Sequence, residues 1–222
     1  MNGDKNDKPK LPRLPRLPRS TQPLAQRMQR RKLWLRTDEK ADTENSLKKV
    51  AQLSQIVGSE PGEWKWLLIA THSATQGMFV TALSLGNGLL TLKRGHAAAW
   101  LKAYRNGGPW PPKLDLDYFL ELYCKAKSHV VKNGSWRTTD DHDDAMRRLN
   151  DLRNEFIHFG ARAWSIEIAG LPSICLRCLE MVHYLGWRSG VVYWRTLAQG
   201  DRALKSLRSA MRALQTLDRA LS

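Results

Sequence analysis

At 222 residues the chain can bury one sizeable core, and one domain plus a tail is the natural division. Its 36 Lys and Arg against 21 Asp and Glu give a formal net charge of +15, which calls for an acidic polymer as partner, RNA or DNA before an anionic membrane surface. Three cysteines exclude a disulfide framework, no apolar run reaches the roughly 18 residues of a spanning helix, and Met1-Asn2-Gly3-Asp4-Lys5 leads into charge and prolines rather than a secretory leader, so a soluble protein of the reducing cytoplasm is expected.

The charge is concentrated at the start. Residues 1–36 hold eleven Lys and Arg against two Asp, a net +9. Leu11-Pro12-Arg13 is repeated as Leu14-Pro15-Arg16 and Leu17-Pro18-Arg19. Proline at every third position excludes a helix and favours extended polyproline II with Arg displayed along it. Residues 1–42 therefore read as a disordered basic tail: an electrostatic arm, a docking peptide or a leader with no specific role. Arg30, Arg31, Lys32, Trp34 and Arg36 mix cations with an indole, a combination that grips phosphate and stacks on bases, and they are the candidate RNA-binding residues of the tail.

The folded domain is expected over 43–199. Leu47, Val50, Leu53, Ile56 and Val57 predict an amphipathic helix from about Thr43 to Gly58. A longer helix follows from about Glu63 to Leu85, apolar on two sides and hence central. One of its stripes, Trp66, Ala70, Ser73, Gly77 and Val80, is mostly small enough for a neighbouring backbone to come close. His72 and Gln76 sit on it at i, i+4, as an ordinary core pair or a pair near a cleft. Gly95 to Tyr104 predicts a short helix, and Asn106-Gly107-Gly108-Pro109-Trp110-Pro111-Pro112 a loop. Asp115 is read as the cap of a helix carrying Leu116, Phe119, Leu120 and Tyr123 to about Ser128.

Beyond residue 160, Ala163 to Ile168 alternates strictly and predicts a short extended segment packed by Trp164, Ile166 and Ile168. Gly170-Leu171-Pro172 opens a helix whose buried face includes Leu179, Val182, Leu185 and the spaced pair Cys175 and Cys178. With no second pair in the chain and His183 the one further ligand within reach, these thiols are read as core packing. Residues 187–199 fit strand or helix. Residues 200–222 predict a basic amphipathic helix docked on the domain, with Leu204, Leu207, Met211 and Leu214 inward and Arg202, Lys205, Arg208, Arg212 and Arg219 in solvent. The expected fold is all-α.

The chemistry lies in residues 138–160, TTDDHDDAMRRLNDLRNEFIHFG. Thr139 and the carboxylates after it suit a helix N-terminus, which accounts for the acidic cluster without a metal. Ala145, Leu149, Leu152, Phe156 and Phe159 form the apolar stripe. At about 100° per residue, Arg153 and His158 lie about 140° apart, so one helix does not close them around one small group, whereas two helices about a twofold axis make a shared groove. A guanidinium presents a planar fork to phosphate, and an imidazole serves as acid or base near neutral pH.

Arg153-Asn154-Glu155-Phe156-Ile157-His158 resembles the Arg-polar-x-x-x-His signature of the HEPN superfamily of small all-helical domains. The resemblance covers roughly residues 44–190 in architecture and only Arg153, Asn154 and His158 in functional positions. It implies a metal-independent ribonuclease, with no cofactor, whose site forms across a homodimer and which leaves a 2′,3′-cyclic phosphate and a 5′-hydroxyl. It also implies the setting of a toxin or antiviral effector, restrained by an antitoxin or other regulatory protein. Some toxin members carry a Tyr two residues after the His, where a partner adds nucleotides; here Gly160 stands there, and the resemblance does not extend to that regulation. The rival reading is a catalytically silent domain of the same kind, acting as a nucleic-acid-binding or protein-interaction module. A DNA-binding regulator lacks a helix-turn-helix spacing to support it.

Overall fold

The computed structural model describes residues 34–158, 160, 163 and 165–221, and among these every regular element is helical. Seven α-helices follow in order: α1 Glu39–Leu53, α2 Trp64–Leu83, α3 Arg94–Asn106, α4 Phe119–Ala126, α5 Asp140–Ile157, α6 Leu171–His183 and α7 Leu197–Leu221. Of the tail residues singled out above, Arg30, Arg31 and Lys32 lie outside the described residues, while Trp34 and Arg36 are exposed.

Helix α1 begins earlier than the apolar pattern predicts because Asp38 caps it. The Asp38 carboxylate accepts the backbone N–H groups of Lys40 and Ala41, each at 2.9 Å. Thr43, Leu47, Val50 and Leu53 are then buried against α2. Helix α2 is the centre of the bundle, buried nearly all round, with Leu67, Leu68, Ala74, Met78, Phe79 and Leu83 closed to solvent. Its buried threonines leave no orphan hydroxyls: Thr71, Thr75 and Thr81 each donate to the carbonyl four residues back. Helices α5 and α6 pack on α2 and on each other, and α7 lies across α1 and α6 through Ala203, Leu207, Ala210 and Leu214.

One local expectation changes. Asp115 does not cap a helix. Residues 115–117 run extended beside 91–93, with Lys93 N–H donating to Asp115 O and Asp117 N–H to Thr91 O, so the helix waits until Phe119. In the segment 163–168, the alternation seats Ile166 and Ile168 on the core as expected, while Trp164 lies outside the described residues. The ambiguous stretch resolves into one π-type turn, Tyr184–Arg188, followed by irregular chain. Within it the Trp194 indole donates to Gly186 O at 3.3 Å and stacks on Trp187.

Cys175 and Cys178 are wholly buried, and burial pushes the Cys175 thiol up to about 12 against a weak opposing hydrogen bond from Thr71. Both thiols are packing groups, protonated at cellular pH.

Helices α1 and α2 come close at Gly77. A Cβ there would overlap Thr43 Oγ1, which is itself tied to Glu39 O at 2.6 Å. Gly77→Ala must push α1 away or break that bond, an overpacking cost of about 1–3 kcal/mol. A thermal melt of the variant should show a Tm lower by several degrees; an unchanged Tm would mean that the two helices are not in that contact.

Candidate active site

Helix α5 is fixed first at its N-terminus. Thr139 N–H donates to His142 Nδ1 at 3.1 Å, so the ring proton sits on Nε2, 3.0 Å from the Glu180 carboxylate of α6. That bond, against partial burial and helped by Arg177, holds the Glu180 carboxyl below its usual range. On the next residue, partial burial of Asp143 works against ionisation, but hydrogen bonds from Lys127 and Tyr123 outweigh it and the carboxyl titrates low. The acidic opening of the helix is thus used in tying α5 to α4 and α6. The apolar stripe then inserts Ala145, Met146, Leu149 and Leu152 into the core.

Eleven residues past His142, about 16 Å along the axis, Arg153 emerges half-buried at the edge of the bundle. Its Nη1 donates to Asn154 Oδ1 at 2.9 Å, and among the described residues no carboxylate pairs with it. Asn154 also receives the backbone N–H of His158 on its carbonyl at 2.9 Å. His158 is the C-terminal cap residue of α5, with φ −109° and ψ 23°, and its side chain is exposed. Asn154 therefore meets Arg153 through its side chain and the His158 backbone through its carbonyl, within one turn and a half of helix. Ile157, between them in sequence, is also exposed.

One residue beside Arg153 comes from the tertiary fold. His72 of α2 is buried with only 4% of its surface exposed, its ring stacked on Phe119 at 4.1 Å between centroids. Burial first, and the Arg153 charge second, lower its pKa to about 4, against a smaller opposing contribution from Asn150. His72 is thus a neutral imidazole at cellular pH, its Nε2 sealed from solvent and the Asn150 amide the polar side chain bearing on the ring. The sequence shows His72 only as half of an i, i+4 pair with Gln76. Among the described residues the ring instead faces Phe119 and the Arg153 end of α5.

A separate cleft of about 350 Å³ opens near the other end of α5, lined by Ser135, Trp136, Glu180, His183, Tyr184 and Arg188. Its carboxylate is already engaged by His142 and Arg177, and burial together with Arg208 and Arg188 lowers the pKa of His183. It lies about three turns of helix from Arg153 and is not part of the Arg153–His158 patch.

The fold and patch define an all-helical protein with an unneutralised arginine and an exposed histidine five residues apart at the end of one helix. No protein-family model, curated protein or solved structure shows a significant match to the chain.

The environment of His72 sets a pH dependence. Unfolded, it binds a proton below about 6.5; folded, below about 4, so between those values the unfolded chain holds more protons and stability falls as pH falls. The loss amounts to at most about 3 kcal/mol by pH 4. Denaturant melts of wild type and His72→Gln should differ in slope across that window, the variant being the flatter. Parallel curves would mean that His72 is not held neutral by its surroundings.

Proposed function

We propose that the chain is a metal-independent endoribonuclease of the HEPN type, acting as a homodimer on RNA. The observation that carries this reading is the state of Arg153. A structural arginine on a helix is expected to meet a carboxylate or solvent; this one is half-buried, donates to Asn154 and stands beside a neutral histidine, leaving its charge available for an anion. The exposed imidazole of His158, one turn and a half on, supplies a group able to move protons near neutral pH.

The reaction assigns each a role. One imidazole takes the proton of a ribose 2′-OH, whose oxygen attacks the adjacent phosphorus. Arg153 places its donors on the non-bridging oxygens as negative charge gathers there. The P–O5′ bond breaks, and a protonated imidazole delivers a proton to the departing 5′-oxygen, leaving a 2′,3′-cyclic phosphate and a 5′-hydroxyl. Base and acid are two histidines, which a twofold pairing of α5 ends supplies from two protomers; Asn154 orients Arg153 by its 2.9 Å hydrogen bond. Such a nuclease fits a toxin or antiviral effector of the cytoplasm, restrained by an antitoxin or similar regulatory protein.

The test is cleavage of labelled RNA in EDTA. Wild type should cut, while Arg153→Ala and His158→Ala should each lose about 100-fold or more in rate with unchanged circular dichroism and Tm. Intact RNA with all three folded proteins would replace the enzyme with a catalytically silent binding module.

A further inference from the structure

The segment from Leu89 to Tyr118 leaves the bundle and returns to it, and its packing is unlike that of the rest of the chain. Helix α3 buries a single residue, Ala103, although it is strongly amphipathic. Its apolar edge consists of aromatic rings. Trp100 and Tyr104 stack with centroids 5.4 Å apart and planes 9° from parallel, and Trp110 of the following loop packs on Trp100 at 5.4 Å. The outer surfaces stay open, Tyr104 being 65% and Trp110 57% exposed. Tyr118, 69% exposed, carries Lys93 over its ring at 4.5 Å.

The charges around these rings have one sign to spare. Lys93, Arg94, Lys102, Arg105 and Lys113 face only Asp115 and Asp117 within the segment. Both acids are occupied, Asp115 by Lys113 and Asp117 by Lys125. Among the described residues Arg94, Lys102 and Arg105 meet no carboxylate. Eleven residues apart, Arg94 and Arg105 fall within about 20° of each other around α3, roughly 80–100° from Tyr104. They flank the stacked rings along the length of the helix.

We propose that this lobe is a stacking platform for single-stranded RNA. Every base offers a π-face to Tyr104 and Trp110, and the phosphates between bases match the row of unneutralised cations. A second copy of the chain fits poorly, since pairing this face with itself brings the same surplus of positive charge together. The lobe also leads toward the candidate active site in the chain: Tyr118 immediately precedes Phe119, whose ring stacks on His72 beside Arg153. Binding there stands apart from cleavage and does not depend on it.

The test uses the full chain and a 2′-O-methyl oligouridine, which cannot undergo 2′-OH attack, so binding is read without turnover. Titration by tryptophan fluorescence and by anisotropy should give an affinity that Tyr104→Ala and Trp110→Ala each weaken about tenfold. Arg94→Gln/Arg105→Gln should lower the slope of log affinity against log salt by more than one. Both ring positions are exposed, and unchanged Tm values certify the fold. The proposal is overturned if the ring variants bind the oligonucleotide as wild type does. It is overturned equally if they instead lose self-association in sedimentation or binding to phosphatidylserine vesicles, which would make the lobe a dimer or membrane face. A chain that binds through Tyr104 yet cuts no RNA would sink the nuclease reading and keep the platform.

Discussion

The guanidinium of Arg153 sits half-buried at the edge of the bundle, and among the described residues no carboxylate pairs with it. Its neighbours are an amide, a neutral imidazole and the rim of a packed core. The depressed pKa of His72 comes first from its burial and second from this charge, whose potential attracts an anion. Interactions of Arg153 with phosphate would be strengthened by its partial burial. The proposed chemistry depends on that imbalance being left in place by the fold.

The rest of α5 explains how the fold tolerates it. The helix is clamped at its far end by two side-chain relays, Thr139–His142–Glu180 and Tyr123–Asp143–Lys127, and along its length by Ala145, Met146, Leu149 and Leu152. These contacts fix the rotation and slide of the helix, and with them the place at which Arg153 leaves it. His158 stands just where the helical hydrogen bonds stop, on a cap residue whose backbone N–H returns to Asn154. The imidazole itself is open to solvent.

Much of this was legible from residue order. The helical class, the two-sided burial of α2, the Thr139 start of α5 and the core role of the cysteines follow from periodicity and composition alone. What was not legible depends on partners distant in sequence. His72 lies about eighty residues before Arg153, and its neutral state comes from burial in the bundle against Phe119, which no spacing rule encodes. Asp115 resembles a helix cap because caps are recognised by residue type, whereas its backbone is claimed by residues 91–93. The open rings of α3 were not legible either, since the sequence predicts a short helix over 95–104 but not that it buries only Ala103.

The central claim is that this patch directs a ribose 2′-hydroxyl against its own phosphate. Its most direct measurement compares one RNA oligonucleotide with the same sequence carrying a single 2′-O-methyl group at the mapped cleavage position, in EDTA, with products read by mass spectrometry. The unmodified strand should yield a 2′,3′-cyclic phosphate and a 5′-hydroxyl at that position, and the methylated strand should be spared there. Scission at the methylated position, or products ending in a 5′-phosphate, would contradict it.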